Sequence, residues 1–339
     1  MCLQKEGTML KLKYLFENFE QAKECLKLYD VEEESINEMF TYFRISSNAI
    51  YPFREKSKGK VCFLRVSPVE EKSYADVQSE IHLIEWLIEQ NFPAMKPYPM
   101  KEGSLSKQIK TQWGTVNVSC FEAVFGETLE DINGTPELAY GYGKTLGLLH
   151  RKLMDYPFTS ERKNHNELLE EIYNRLVLYH APDYVISELF KVKEELSTLP
   201  LDNENYGMIH YDFEPDNVLF DKETGAFGVI DFDDAIRCFY ALDIVRAIDA
   251  MDDVVGESSV NIAIEKFLEG YQSEKTLLEA QIHSFPLMRR LVQLQSYATI
   301  LHVLSDVIVD APDWMVQIKQ KLDNKRRLIE ENIKFCVLL

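Results

Sequence analysis

Apolar residues recur at Leu12, Leu15, Phe16, Phe19, Ala22 and Leu26, the spacing of one helix face, which predicts an amphipathic helix over roughly residues 1–29. From Met39 the period shortens. Phe40–Ile45 and Lys60–Val66 are rich in aromatic and β-branched residues and read as strands, with Glu55–Gly59 between them as a polar turn of hairpin type. Ser79–Gln90 returns to the helical period through Ile81, Ile84, Trp86, Leu87 and Ile88, and Val116–Phe121 reads as another strand. Past Gly126 helical patterns dominate, apart from two short β-like runs flanking Asp221–Gly225. The pattern predicts an α+β chain with a small strand-rich lobe over 1–124 and a larger helical lobe over 125–339. It contains no internal repeat, low-complexity tract or long linker.

Composition narrows the class. At 339 residues the chain exceeds one ordinary domain, and its 46% hydrophobic content is ample for a core. A net charge of −19 disfavours binding to a nucleic-acid backbone or to an anionic membrane surface. That charge serves solubility; acid lining a cleft for a cationic substrate is the sharper alternative, and it stays open. The six cysteines (Cys2, Cys25, Cys62, Cys120, Cys238, Cys336) include no C-x-x-C pair, so reduced thiols in a cytoplasm are the default expectation. No stretch approaches about 18 consecutive apolar residues, and the N-terminus lacks the apolar core of a signal peptide. A cytoplasmic protein, monomeric by default, is expected.

The chemistry concentrates in I-H-Y-D-F-E-P-D-N-V-L-F, Ile209–Phe220. Crowding His210, Asp212, Glu214, Asp216 and Asn217 beside an apolar run is electrostatically costly unless the segment is a solvated turn or a cation meets the carboxylates. Downstream, Ile230-Asp231-Phe232-Asp233-Asp234 follows a turn at Thr224-Gly225. Val218–Phe220 and Phe227–Ile230 would then pair as a short hairpin that returns Asp231 beside Asn217. Asn217 and Asp231 offer hard oxygen ligands of the kind Mg²⁺ takes together with water and phosphate. Asp212 would face that metal without ligating it, placed to orient a hydroxyl and accept its proton as it attacks phosphorus.

H-x-D-x-x-x-x-N, an apolar strand and then D-F-D resemble the catalytic and metal-binding segments of the aminoglycoside phosphotransferase and choline kinase group, small-molecule kinases of the protein-kinase-like fold. The resemblance implies a two-lobed architecture with a small antiparallel-sheet lobe, ATP and Mg as cofactors, and transfer of the γ-phosphate to a small-molecule hydroxyl. It implies Asp212 as catalytic base and Asn217 and Asp231 as metal ligands. Arg44–Tyr51 resembles the group's first hairpin, whose loop covers the phosphates, and puts Ser46, Ser47 and Asn48 there. Phe63–Val66 matches the strand carrying the phosphate-pairing lysine; here that residue is Arg65, a charge with a planar fork. Glu80 is the implied ion-pair partner of Arg65, with Glu85 as competitor. Cys120–Glu127 resembles the hinge between lobes, where backbone near Glu122 to Val124 would meet adenine. Gly143–His150 resembles the helix that follows, and Asp243 matches an aspartate supporting the catalytic loop. The likeness spans roughly residues 40–250 and is densest over 206–245.

Three other readings are weighed against this one. Gly141-Tyr-Gly-Lys-Thr145 is not a P-loop, because Leu138 stands where the first glycine belongs and the context is helical. A protein kinase would place a long activation segment after Asp231, but the helical pattern of Ala241–Met251 begins almost at once. A non-catalytic nucleotide-binding module is the reading from another class, supported by Arg65 and the glycine-poor loop. For the acceptor, Asp234 and Asp249 with nearby aromatics suit an amine or quaternary ammonium group.

Overall fold

The computed structural model describes residues 18–45, 48–132, 134–157, 162–305 and 311–338. The chain enters through α1 (Phe19–Leu26), whose first turn is closed by Asn18 accepting from the Gln21 N–H at 3.0 Å. The rest of the N-terminal helix expected over residues 1–29 lies outside the described residues. A short α2 (Ile36–Met39) runs into a 3₁₀ turn over Phe40–Tyr42, and only Arg44–Ile45 extend, as β1. This corrects the strand expected over Phe40–Ile45. Phe40 and Phe43, three residues apart, both pack on Phe19 at 5.5 and 5.3 Å, and a strand would send them to opposite faces.

β2 (Ala49–Arg54) and β3 (Val61–Pro68) pair antiparallel across the expected Glu55–Gly59 turn. α3 (Tyr74–Glu89) begins earlier than its apolar period, because Ser73 and Asp76 form a capping box. β4 (Ser106–Thr111) and β5 (Gly114–Glu122) complete a five-stranded antiparallel sheet of order β1-β2-β3-β5-β4. β4 escapes pattern reading because its sequence, S-K-Q-I-K-T, is that of a half-exposed edge strand.

β6 (Glu127–Thr128) leads into α4 (Pro136–Leu153), α5 (His165–Leu178) and α6 (Asp183–Leu196). β7 (Tyr206–Ile209) precedes the hairpin of β8 (Val218–Phe220) and β9 (Phe227–Val229), and β10 (Ile236–Phe239) returns to pair with β7. The two-stranded ladder β7–β10 closes around the hairpin, so Ile209–Asp234 is clamped at both ends. α7 (Tyr240–Asp249), α8 (Met251–Val254), α9 (Val260–Gln272), α10 (Glu279–His283), α11 (Phe285–Leu304) and α12 (Asp313–Leu338) build the remaining helical layer. One apolar core fills the helical lobe around Phe213, Phe232, Tyr240 and Phe267, and a separate smaller one lies under the sheet around Tyr29, Phe53 and Leu64. The result is the two-lobed α+β architecture that the resemblance implies. Among the described residues no helix is long and apolar enough to cross a membrane, and Cys25, Cys62, Cys120 and Cys238 are buried free thiols.

Candidate active site

The loop after β7 is held from below by one buried carboxylate. Asp243, in the first turn of α7, accepts from the N–H groups of His210 and Tyr211 at 2.8 and 2.7 Å and meets His150 Nε2 at 3.1 Å. Those bonds fix Tyr211 at a φ of 72°, a left-handed conformation costly for a non-glycine residue unless its surroundings impose it. His210 Nε2 lies 3.0 Å from the Ile230 carbonyl, which can only accept, so that nitrogen carries the proton. Burial lowers the pKa of both histidines, and they are neutral struts rather than proton carriers. The supporting role expected for Asp243 matches this geometry.

Asp212 sits at the mouth of this loop. Asn217 Nδ2 donates to its Oδ2 at 3.0 Å and to its backbone carbonyl at 2.9 Å, and Arg246 Nη1 lies 3.8 Å from its Oδ1. Burial pushes the Asp212 carboxyl well above its usual range, Glu214 adds to the rise, and Arg246 opposes it. With its nitrogen committed to Asp212, Asn217 has its Oδ1 left for a cation. The β8–β9 hairpin pairs Val218 with Val229, and the Ile230 N–H donates to the Asn217 carbonyl at 3.0 Å. Asp231 follows directly, with φ 63° and ψ 62°, and keeps 36% of its side-chain surface open. Removal from bulk water and the neighbouring Asp233 push its carboxyl up, against Arg65 3.6 Å away. A carboxylate and an amide oxygen, hard donors short of positive charge, fit a divalent cation bound with water and phosphate.

Arg65 reaches the same point from β3. It is 3% exposed, pairs with Glu80 of α3, donates through Nε to Ser119 Oγ at 3.3 Å and lies 4.6 Å over the Phe121 ring. Glu80, not Glu85, is therefore its partner. Asp212, Asn217, Asp231, Arg65 and Glu80 are thus brought together. A cleft of about 420 Å³ is lined by Asn217, Asp231 and Arg65, with Phe63 and Ile50 from the sheet, Leu219 and Ile230, and Glu122–Val124 at the hinge. The Glu122 and Ala123 N–H groups already donate to Lys96 and Val61 carbonyls at 2.8 and 3.0 Å, while the Glu122 side chain pairs with Lys60. Those two N–H groups are therefore committed within the protein.

Two expectations land elsewhere. The Asn48 side chain accepts from Ser67 at 2.5 Å and donates to Asp233 at 2.8 Å, tying the first hairpin to the D-F-D turn. Ser46 and Ser47 lie outside the described residues. Asp234 lines a second cavity, of about 100 Å³, on the far side of that turn. Asp249 does not line it; an exposed bidentate pair with Arg289, at 2.6 to 3.0 Å, holds it on the surface. Sequence reading missed Arg246, Lys72 and Arg162. Arg246 stands one helical turn after Asp243, a spacing that could have placed it under the loop. Lys72, seated on Asp233, and Arg162, bonded to the carbonyls of Phe232 and Asp233, have no sequence signal at all.

A model of the phosphotransferase enzyme family matches residues 46–277. A homoserine kinase of Caulobacter vibrioides is 24% identical over 260 residues, 75% of this chain and 78% of that protein. The amicoumacin kinase of Bacillus subtilis strain 168 is 20% identical over 307 residues, 87% of this chain and 88% of that one. Among solved structures, an amicoumacin kinase in complex with AMP-PNP, Ca²⁺ and Ami superposes with a TM-score of 0.76 at 18% identity, covering 95% of both chains. A microcompartment-associated aminopropanol kinase superposes at 0.66, with 18% identity, over 94% of this chain and 98% of that one.

Proposed function

Because the chain belongs to the phosphotransferase enzyme family and is a small-molecule kinase, we propose that it moves the γ-phosphate of ATP to a hydroxyl of a small amine-bearing acceptor, with Mg²⁺ as the divalent ion. The observation carrying this reading is that Asn217, Asp231 and Arg65 line one cleft while Asp212 is bonded to Asn217 at 3.0 Å. Asn217 Oδ1 and the Asp231 carboxylate would hold the metal, which when bound neutralises charge on the phosphate oxygens.

The chain's own groups do the rest. Arg65, fixed by Glu80 and the Phe121 face, presents its remaining N–H groups to the phosphates. Asp212 accepts a hydrogen bond from the acceptor hydroxyl and takes its proton as the oxygen–phosphorus bond forms. The bond from the γ-phosphorus to the bridging oxygen breaks, and ADP leaves with that oxygen. A raised pKa at Asp212 suits a group that must hold the proton through the step. The Tyr211 and His210 amides, locked on Asp243, keep the base from swinging away. The relatives named for homoserine, amicoumacin and aminopropanol support an acceptor carrying both an amine and a hydroxyl.

The test is ADP release by purified protein against a panel of small amino alcohols and hydroxy amino acids. Acceptor-dependent ADP formation that stops on chelation of divalent ions is expected; ADP formation indifferent to every acceptor would contradict the reading.

A further inference from the structure

The sheet carries a cross-strand row that ends on a second arginine. Arg44 of β1 stands opposite Ile50 of β2, and Ile50 stands opposite Arg65 of β3. Residues directly opposite on antiparallel strands share a face, and all three line the cleft. Two strand spacings separate the backbones of Arg44 and Arg65, about 10 Å, with Ile50 between them. The row also has a level along the cleft. The hinge residue Ala123 donates to the Val61 carbonyl, so Phe63 is the cleft-facing position of β3 nearer the hinge. Arg65 is the next one along, 3.6 Å from Asp231. Arg44 therefore stands level with Asp231, on the edge strand of the sheet.

The charges around the cleft show what this second cation can do. Arg65 is already shared: Glu80 pairs with it, and Asp231 and Asp233 lie 3.6 and 3.9 Å from its Nη1. The carboxylates lining the cleft are those of Glu122, Asp216 and Asp231, so a polyanion entering it meets three acids and one divided guanidinium. Arg44 lines the same cleft, is exposed, and forms no ion pair with a described residue. A ligand filling the cleft would take water from that guanidinium, a cost that an opposite charge on the ligand offsets. Its planar fork suits phosphate oxygens. Asn48, the described side chain expected to reach phosphate from the first hairpin, is spent on Ser67 and Asp233.

We propose that Arg44 is a second phosphate-binding cation, gripping the nucleotide triphosphate from the edge strand on the side opposite Arg65. The proposal rests on the phosphotransferase reading and deepens it by assigning a binding residue outside the motifs that the resemblance covers. Arg44 then favours nucleotides by their phosphates and is indifferent to the nucleoside.

The experiment is calorimetric titration of the full chain with Mg²⁺–AMP-PNP and, separately, with adenosine, in wild type, Arg44→Gln and Arg44→Lys. Arg44→Gln should bind AMP-PNP about tenfold more weakly, the scale of a charge-assisted hydrogen bond, and adenosine within about twofold of wild type. Arg44→Lys, which keeps the charge, should recover part of that loss. Added salt should weaken AMP-PNP binding more in wild type than in Arg44→Gln. AMP-PNP affinity unmoved by Arg44→Gln would overturn the assignment, as would an equal loss for adenosine. Arg44-dependent binding of AMP-PNP without phosphorylation of any hydroxyl compound would uphold the assignment and reject the phosphotransferase. A wild-type protein that binds no AMP-PNP would overturn both.

Discussion

Arg65 stands where the family resemblance places a lysine, and its setting explains why a planar cation serves. One edge of the guanidinium pairs with Glu80, its face lies on Phe121, and another edge is left toward Asp231 at 3.6 Å. An ammonium group could fill one of those contacts but could not stack. Both partners are almost fully buried, and burial pushes the Glu80 carboxyl up even as Arg65 holds it down. Removing one member of such a pair strands the other. Glu80→Ala is therefore expected to cost about 3–5 kcal/mol in urea unfolding and to raise the KM for ATP; a loss under about 1 kcal/mol would mean the pair is not structural. Legibility at this scale followed sequence locality. The proximity of Asp212, Asn217 and Asp231 was readable because they share a 20-residue stretch with fixed spacing. Asn48, expected over phosphates, belongs to a buried bridge that joins Ser67 to Asp233, and its bond to Asp233 spans 185 positions in sequence. No local pattern encodes such a contact.

At the scale of elements, the glycine-rich run that resembles a P-loop has a packing purpose. A Cβ built on Gly143 would fall 1.9 Å from the Phe267 carbonyl oxygen of α9, and one on Gly270 would fall 2.0 Å from the Tyr140 carbonyl oxygen of α4. The backbones of the two helices touch at these points. Gly143→Ala should push them apart and destabilise the protein by roughly 1–3 kcal/mol; thermal unfolding unchanged within error would contradict that account. The bed of the catalytic loop has a pH signature. His150 and His210 are fully buried, and burial lowers their pKa values below the unfolded value of about 6.5. Between the two values the unfolded chain binds more protons, so stability falls as pH drops below about 6.5. The slope is up to about 1.4 kcal/mol per pH unit for each histidine. Urea melts at pH 7.5 and 5.5 read this directly, and His150→Gln should flatten the slope. The β8–β9 hairpin was legible because apolar runs flank a Thr-Gly turn, whereas β7 and β10 were not: they pair with each other across an intervening site, and each is only four residues long.

At the scale of the whole molecule, the lobes meet at the chemistry. Asn48 bonds Asp233, Arg65 reaches Asp231, and His302 of α11 meets Glu71 of the small lobe at 3.3 Å. The lobes are thus tied on both sides of the D-F-D turn, with the cleft toward the hinge and the second cavity toward α5. The two-lobed outline was legible because the change from short to helical period falls near Gly126; the cavity was not, because its walls come from five separate segments. The central claim is that Asp212 takes the proton of an acceptor hydroxyl inside this frame. Its most direct test is single-turnover phosphoryl transfer, followed by ³¹P NMR, in wild type and Asp212→Asn, with nucleotide affinity measured on both. Asparagine keeps the shape and cannot take the proton, so ester formation should fall by about 10²–10⁴-fold while ATP affinity stays within a few-fold. An Asp212→Asn protein that forms the phosphate ester at the wild-type rate would contradict the claim.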